Sequence, residues 1–435
     1  MIRIGRPYVC VDEKTAFLKA KVEVSNDTSQ EYIRISKVVK KVHWRTAEDY
    51  PPCAWKGEDH GLWFSVSAEY KDYLCVERSD AFVVAMLWYA MITGSDIEYT
   101  APISESMAVQ ISHLLIPALC RQKEGRRQIR LLGPTTNIPY PNAGAVGTGM
   151  SCGVDSLYSL HQYSNTSVPM HHRLTHLTYF NMGAIFHPDR AVKKKYDLKG
   201  FYEKTDEMSE EKRDNARHVA DIAGLPLVYV KSNLDQDFYR GAYGHTGVYR
   251  NCAMTLALQG LFSVYYCSSA GWPDYFHLSL TEGSEQYEGL LTQCLSTESL
   301  HFILSDYATR IEKTKTIADD MVAQKYLDVC FRFNNCGQCS KCLRTLLTLD
   351  ILDRVDLFDS VFNLSEFKKN RVSAYAWLLK TKDGKKTDDD VQFALDIYRL
   401  ALEKGKIPPE SERLYRKQKR HRAIKKIVKF ILPNM

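Results

Sequence analysis

The sequence predicts an α/β fold with a doubly wound parallel sheet in its central region, preceded by an extra N-terminal α+β domain and followed by a helical C-terminal tail. Apolar strand patterns alternate in the centre with amphipathic helix patterns, which is typical of parallel strands joined by helical crossovers. A loop of small residues near residue 150 also leads directly into a helix pattern, as in sheets that bind ligands at the carboxyl ends of their strands. The expected domains are 1–135, 136–350 and 351–435.

The N-terminal domain carries no motif with recognisable chemistry. Its apolar periodicity predicts strands at 17–24, 32–38, 62–66 and 128–132 and helices at 81–93 and 105–121. The helix at 81–93 follows Ser79 and Asp80, which favour a helix start, and its continuous apolar run predicts burial. Candidate roles for this domain are a lid, a homodimer surface and recognition of an acceptor substrate.

The central domain is predicted from repeated strand–helix units. Strands are expected at 174–181, 227–231 and 262–268, and helices at 210–223 and 251–259. Ser209 is a suitable N-cap for the helix at 210, and Gly224 would end that helix. The stretch 133–149 is rich in turn-forming residues and predicts a loop. Residues 351–435 predict polar helices interrupted at 380–390 and at Pro408-Pro409.

The loop before the helix at 157–163 is a candidate anion site. It reads Ser-x-Gly-x-Asp-Ser, formed by Ser151, Cys152, Gly153, Val154, Asp155 and Ser156. Backbone N–H groups at a helix start converge on one point, and the helix dipole adds to their attraction for an anion. Ser151, Asp155 and Ser156 could hold phosphate oxygens or the accompanying Mg²⁺. The alternative is a turn of small residues capped by Asp155.

Four cysteines far downstream predict a metal site. Cys330, Cys336, Cys339 and Cys342 have the spacing C-x5-C-x2-C-x2-C, and a C-x2-C step places two thiolates about one tetrahedral ion. Four thiolates leave no open position, so a zinc ion held here would be structural. An iron–sulfur cluster and four unrelated reduced thiols are the alternatives.

Together these motifs resemble the PP-loop ATP pyrophosphatase superfamily, and within it the chain looks most like the 7-cyano-7-deazaguanine synthase family. That family carries Ser-Gly-Gly-x-Asp-Ser and, later, Cys-Gly-x-Cys-x-x-Cys followed by Arg, which matches the run from Cys336 to Arg344. Arg250-Asn251, expected to open a helix, and Trp272-Pro273-Asp274 are two further matches in the same order. The resemblance covers about residues 140–350 and implies a Rossmann-like PP-loop domain.

The sequence departs from the family pattern at three places, one in the loop and two in segments expected to face the acceptor substrate. Cys152 replaces the first loop glycine, which costs energy if the backbone there needs a positive φ. Tyr275-Phe276 stands where the family has Cys-Arg, and the run Phe180–Gly183 stands where the family has Tyr-Gly-Gln. The nucleotide chemistry is therefore better supported than a deazaguanine substrate.

The resemblance implies adenylation of an acceptor carboxylate or amide by ATP, with release of AMP and pyrophosphate. The residues expected to act on the phosphates are Ser151, Asp155, Ser156 and Arg250, with Asp155 holding Mg²⁺ or its water. The other residues expected to contact ATP are Cys152, Gly153, Val154, Phe180, Asn181, Asn251 and Lys313. Arg310 and Lys313 are the weaker candidates, because a solvated helix face explains them equally well. The implied cofactors are ATP, Mg²⁺ and Zn²⁺.

The acceptor would be a small-molecule carboxylate or nucleobase-like compound, with ammonia taken free or from another chain. Sulfur transfer to a nucleobase or tRNA, and amination of a sugar precursor, are the alternative reactions within the superfamily. A nucleotide- or RNA-binding module without turnover is the alternative of another class. The altered loop residue Cys152 and a basic tail favour that last alternative.

The charge distribution singles out the tail. The net charge is +6, but residues 413–435 hold nine Lys or Arg and no acid, so the rest of the chain carries a net −3. Apolar residues recur within it at helical spacing, which predicts a helix that contacts RNA or an anionic membrane surface, or docks on the protein itself. The chain has no disulfide-like cysteine pattern and no signal-peptide pattern, so a cytoplasmic location is expected.

Overall fold

The computed structural model describes residues 1–39, 61–121, 126–184, 198–239, 242–268, 276, 278, 283–330, 334–384 and 389–431. The chain divides into two compact units. The first unit consists of Met1–Ser151 and Ser159–Tyr307, and the second consists of Cys152–Tyr158 and Ala308–Met435. The expected division at 135 and 350 stays a prediction.

The strands found among the described residues lie in the first unit. They are β1 Ile2–Ile4, β2 Tyr8–Asp12, β3 Thr15–Ala20, β4 Val22–Val24, β5 Leu62–Ser67, β6 Ile97–Tyr99, β7 Ile103–Ser104, β8 Leu131–Leu132, β9 Thr135–Thr136, β10 Ala145–Gly149, β11 His176–Asn181, β12 Leu227–Ser232, β13 Phe262–Cys267 and β14 His301–Leu304.

The helices occur in both units. They are α1 Asn26–Val39, α2 Asp80–Thr93, α3 Glu105–Gln110, α4 Ile116–Cys120, α5 Val154–Tyr163, α6 Leu198–Ala223, α7 Tyr243–Leu256, α8 Glu288–Cys294, α9 Arg310–Ile317, α10 Met321–Tyr326, α11 Ser340–Ile351, α12 Leu364–Thr381, α13 Asp389–Glu403 and α14 Pro409–Ile431. Two π-helical turns occur at Ile111–Leu115 and Leu234–Tyr239.

The main sheet has eight strands in the order β14-β13-β10-β11-β12-β5-β3-β2. The first five strands of that order are mutually parallel, from β14 to β12. Strand β10 lies in their middle, with β11 and β12 added on one side and β13 and β14 on the other. The chain therefore reverses its direction of strand addition at β10, and the carboxyl end of β10 leads into the candidate anion loop.

Strands from the N-terminal part of the chain extend the same sheet. β5 pairs antiparallel with β12, and β3 and β2 continue the antiparallel order outward. A separate four-stranded sheet has the order β4-β1-β6-β8. The protein is thus an α/β protein with mixed sheets, and the continuity between the N-terminal strands and the central sheet was not predicted from the sequence.

The core of the first unit contains α2, all of whose residues are buried. This helix is apolar all round, so every face needs cover, and it packs against α7. The hydroxyl of Tyr239 donates to the carbonyl oxygen of Ala85 at 2.7 Å and ties α2 to the π-helical turn. In β10, a Cβ on Gly147 would lie 2.5 Å from the Phe262 ring, so only glycine lets these strands pack closely.

Most predicted elements are confirmed in type. The buried helix at 81–93, the strands at 62–66, 174–181, 227–231 and 262–268, and the helical character of 351–435 all occur. No helix among the described residues is both long enough and apolar enough to cross a membrane. In the tail, Ile424 of α14 is exposed, and the proposed contacts of the tail with RNA or a membrane stay predictions.

Four local predictions are wrong. Residues 32–38 belong to helix α1 rather than a strand, and Ser209 lies inside α6 rather than capping it. Residues 145–149 form strand β10 within a stretch predicted as a loop. Helix α7 begins at Tyr243, so Arg250-Asn251 lies in its interior rather than at its start.

We expect the stability of the first unit to fall as pH rises through the titration of Asp80. This carboxyl group is wholly buried and accepts hydrogen bonds from the Gln259 amide and the Ser104 backbone, each at 2.8 Å. Burial raises the pKa of Asp80 to about 6, against about 4 in the unfolded chain. Between those values the folded state keeps a proton that the unfolded state releases, so rising pH favours unfolding.

Denaturant titrations of wild type and Asp80→Asn at pH 4.5 and 7 test this expectation. Because asparagine does not titrate, the stability of wild type relative to the variant should fall by about 2 kcal/mol over that range. A constant relative stability would show that Asp80 ionises at its usual pKa in the folded protein, and an increase with pH would show that its pKa is lowered.

Candidate functional site

The candidate anion loop starts at the carboxyl end of β10. The backbone N–H of Met150 donates to the carbonyl oxygen of Thr178 at 2.7 Å, which continues the pairing with β11 for one residue beyond the strand. Ser151 is exposed, whereas Cys152 is completely buried. Helix α5 begins two residues later at Val154, so the N–H groups of its first turn are those of the Ser-x-Gly-x-Asp-Ser motif.

Cys152 adopts a left-handed backbone conformation, with φ of 58°. A residue with a Cβ pays about 1–3 kcal/mol for such a conformation, and residues of this kind concentrate at functional sites. The position therefore does require a positive φ, which is the condition that makes glycine the favoured residue in the resembling family. The carbonyl oxygen of Cys152 accepts a hydrogen bond from the Asp328 backbone at 2.8 Å, which fixes the strained residue in place.

Asp155 lies between two positively charged side chains of helix α9. One carboxylate oxygen is 3.0 Å from the Arg310 guanidinium, and the other is 3.5 Å from the Lys313 ammonium. The side chains of Asp155 and Arg310 are partly exposed, whereas only 2% of the Lys313 side chain is accessible. The solvated helix face considered for Lys313 is therefore wrong, and this lysine is a buried charge at the candidate site.

Helix α9 presents Arg310 and Lys313 from its first turn. Thr309 caps the helix by accepting a hydrogen bond from the Glu312 backbone, while the Glu312 carboxylate accepts one from the Thr309 backbone. The Lys313 ammonium also lies 5.7 Å from the centre of the Tyr158 ring, on the first turns of α5. The Asp155 carboxylate, on the first turn of α5, thus meets two cations from the first turn of α9.

Ser156 contributes to the loop through a hydrogen bond from its side chain to the loop backbone. Its side chain is buried, and its hydroxyl donates to the carbonyl oxygen of Gly153 at 3.1 Å. Ser151 and Ser156, both expected to contact phosphate, therefore differ in setting: Ser151 faces solvent, and Ser156 supports the shape of the first helical turn.

Arg250, which is expected to act on the phosphates, makes its contacts within the protein interior. Its side chain is completely buried, pairs with Asp235 at 2.8 Å and donates to the carbonyl oxygen of Met182 at 2.6 Å. The rings of Tyr239 and Tyr243 lie beside the guanidinium, at 4.9 and 5.7 Å. These contacts favour a positioning role, in which Arg250 fixes the turn after β11, over direct contact with phosphate.

The residues expected to contact adenosine lie at the carboxyl end of β11. The Asn181 amide donates to the Asp206 carboxylate at 3.0 Å and to the Tyr229 hydroxyl at 3.4 Å. The Phe180 ring stacks on the Tyr265 ring, with centres 6.0 Å apart. Asn251 is half-buried within α7. The Trp272-Pro273-Asp274 match and Tyr275 lie outside the described residues.

The four predicted metal ligands do come together. The sulfur atoms of Cys330, Cys336, Cys339 and Cys342 all lie within 4.8 Å of one another, and those of Cys330 and Cys339 are 3.9 Å apart. Zn–S bonds of about 2.3 Å in a tetrahedron place sulfurs about 3.8 Å apart. Four cysteines set this closely can hold a single metal ion such as zinc, whereas an iron–sulfur cluster needs sulfurs spread around several metal atoms.

The surroundings of the cysteines are those of a metal–thiolate site. The N–H of Cys336 donates to the Cys330 sulfur and that of Cys339 to the Cys336 sulfur, each at 3.4 Å. Cys339 is the N-cap residue of helix α11, so Cys342 lies in the first turn of that helix. Contacts with the thiols of Cys330 and Cys339, together with burial, raise the pKa of Cys342 well above its usual value. Thiol contacts with Cys339, partly offset by Cys342, raise the pKa of Cys330 to about 11. A metal ion bound by these thiols would displace their protons, because the thiolate is the form that coordinates a metal.

The four-cysteine cluster is linked to the candidate anion loop through Asp328. The backbone N–H of Asp328 binds the Cys152 carbonyl oxygen, and its carboxylate accepts a hydrogen bond from the Cys330 backbone at 3.3 Å. The buried side chain of Asn335 organises the same segment, accepting from Val329 at 2.9 Å and donating to Leu327 at 2.7 Å. The cysteine motif therefore supports the strained residue of the loop through two hydrogen bonds.

No family model, no curated protein and no solved structure matches this chain. The resemblance to PP-loop enzymes consequently depends on the sequence motifs alone.

We expect Arg250→Met to reduce the free energy of unfolding by about 3–5 kcal/mol, because it leaves the buried Asp235 carboxylate without its guanidinium. The double variant Asp235→Leu/Arg250→Met should regain much of that loss, since it removes both charges. Chemical denaturation of the three proteins measures these values. An Arg250→Met protein of normal stability that loses nucleotide binding would instead support direct contact of Arg250 with phosphate.

We expect purified protein to hold about one zinc ion per chain, and Cys342→Ser to lose it, because four thiolates complete the coordination shell. Elemental analysis after gel filtration measures the metal, and thermal unfolding with and without a chelator measures its effect on stability. Cys10→Ser is the matched control, since Cys10 is a free cysteine outside the cluster. Retention of stoichiometric zinc by Cys342→Ser, or iron with visible absorbance, would contradict this assignment.

Proposed function

We propose that this protein is an ATP-dependent ligase of the PP-loop type, which adenylates an acceptor carboxylate or amide for formation of a C–N bond or a nitrile. The observation that carries the proposal is the position of Asp155, in the first turn of a helix that follows a small-residue loop, between Arg310 and Lys313. Helix N–H groups and two adjacent cations form a setting suited to a polyphosphate.

The order of the parallel strands supports the same proposal. Numbered along the chain, β10 to β14 lie in the order 5-4-1-2-3, and the loop follows strand 1, where the order reverses. Doubly wound sheets bind nucleotides outside the carboxyl ends of the strands at this point of reversal. The doubly wound Rossmann-like fold is thus part of the proposal, together with the motif resemblance.

In the proposed reaction, an oxygen of the acceptor attacks the α-phosphorus of ATP, and the bond to the β-phosphate oxygen breaks. Pyrophosphate leaves, and an acyl adenylate forms from a carboxylate or an imidoyl adenylate from an amide. Ammonia then displaces AMP from the acyl adenylate to give an amide, whereas the imidoyl adenylate loses AMP and its N–H proton to give a nitrile. The N–H groups of 153–156, together with Arg310, Lys313 and Ser151, would stabilise the negative charge on the departing pyrophosphate. Asp155, as the one carboxylate of the loop, would hold Mg²⁺, which neutralises phosphate charge when bound.

The roles of the remaining predicted residues follow from their placement. Ser156 and Cys152 would shape the loop, and Arg250 would position the turn after β11, near Phe180 and Asn181, which remain the candidates for adenosine contact. Zinc on the four cysteines would have a structural role, because no coordination position is left for a substrate. The proposed partners are a small-molecule carboxylate or nucleobase-like acceptor and a source of ammonia.

A second candidate function is nucleotide binding without turnover. It is favoured by the ion pairs of Asp155, since both of its carboxylate oxygens already face cations and a Mg²⁺ ion would have to replace one of them. In that case ATP would bind at the same N–H groups without releasing pyrophosphate.

The products formed from α-labelled ATP test the proposal. With Mg²⁺, ammonia and a panel of carboxylic acids that includes 7-carboxy-7-deazaguanine, we expect AMP and pyrophosphate. Asp155→Ala and Lys313→Ala should each lower the rate by about 10²-fold or more, because each removes a group that acts on transition-state charge. Lys315→Ala is the matched control, since Lys315 lies on the same helix and is exposed.

Formation of ADP would contradict the adenylation mechanism. Tight ATP binding without AMP formation across the panel would favour the binding module. An equal loss of rate in Lys313→Ala and Lys315→Ala would show that the lysine beside Asp155 has no special role.

A further inference from the structure

A second arginine, Arg344, contacts the same aromatic ring as Arg310. The guanidinium carbon of Arg310 is 5.7 Å from the centre of the Phe393 ring, and that of Arg344 is 4.2 Å from the same centre. Both distances are within the range of cation–π attraction. Phe393 therefore contacts two positively charged side chains.

The three side chains come from three different helices. Arg310 is the first residue of α9, Arg344 lies in α11 two residues after the last metal ligand, and Phe393 lies in α13. Arg344 also pairs with Asp390, one turn before Phe393, at 3.0 Å. Helix α13 thus provides both the ring and the carboxylate that orient Arg344, while Arg310 reaches from the ring to Asp155.

We propose that Phe393 is a positioning residue of the polyphosphate site, which holds the guanidinium groups of Arg310 and Arg344 in the orientation that meets the phosphates of ATP. This inference rests on the proposed function and adds to it a residue outside the segment, about 140–350, that carries the family resemblance. It assigns α13 a part in nucleotide binding, for which the sequence pattern of 351–435 gave no signal.

The physical basis is the planar, weakly hydrated guanidinium group. Such a group stacks on a ring face and still donates hydrogen bonds from its edge in a fixed fork, which suits phosphate oxygens. Without the ring, each arginine keeps its charge but samples more rotamers. Phosphate binding then has to order the side chain, and this loss of conformational entropy lowers the affinity. The result is weaker phosphate binding with no change in the number of charges.

Calorimetric titration with Mg²⁺–pyrophosphate and with Mg²⁺–ATP tests the inference. We expect Phe393→Leu to weaken binding of both ligands roughly three- to tenfold, while Phe393→Tyr, which keeps the aromatic face, binds like wild type. Tyr398→Leu is the matched control, because Tyr398 is a half-buried ring on the same helix that contacts a different cation, Lys382, at 4.5 Å. Thermal unfolding of each variant confirms that it is folded.

The Arg310→Gln background separates positioning from general packing. If the ring acts through the arginines, Phe393→Leu weakens pyrophosphate binding by a clearly smaller factor when Arg310 has already been replaced. The same factor in both backgrounds, or normal binding by Phe393→Leu, overturns the inference and leaves the proposed function intact. Failure of wild type to bind either ligand overturns both.

Discussion

In the second unit, the first turns of α5 and α9 are joined by the carboxylate of Asp155, which lies between the charges of Arg310 and Lys313. A lysine that is almost fully buried is costly unless a carboxylate or another anion compensates it, so this ion pair constrains where the first turns of α5 and α9 can lie. The same arrangement gathers helix N–H groups and cations at one point. An incoming polyphosphate would therefore exchange one anionic partner for another, without creating a new uncompensated charge.

The four-cysteine cluster and the candidate anion loop are joined by hydrogen bonds of Asp328. Four close thiols favour a bound cation, and the segment that carries them binds Cys152 through Asp328. That support matters because Cys152 has a positive φ, and a strained conformation persists only where neighbouring contacts over-determine it. Under the proposed function, a structural ion at the cysteines would support the nucleotide-binding loop without taking part in the reaction.

Local periodicity was sufficient to predict helix α2 and strands β11, β12 and β13, because their apolar patterns are continuous. Strand β10 is not predicted, since its two glycines have low strand propensity. The close approach of the Phe262 ring explains one of them, Gly147. Residues 32–38 look like a strand because they are β-branched and aromatic, yet tertiary contacts such as the hydrogen bond from Tyr32 to Tyr239 stabilise a helix. The metal ligands were predictable from spacing alone, whereas the burial of Arg250 and the pairing of Asp155 with α9 depend on residues far apart in the chain.

The central claim is that phosphates of ATP bind at the first turn of α5 beside Arg310 and Lys313. Crystals of the protein grown with Mg²⁺ and α,β-methylene-ATP, which cannot be cleaved between its α- and β-phosphates, test it most directly. We predict phosphate oxygens within hydrogen-bonding distance of the backbone N–H groups of 153–156 and of the Lys313 ammonium. Nucleotide bound elsewhere, with Asp155 still paired to both cations and no phosphate at the helix start, would contradict the account.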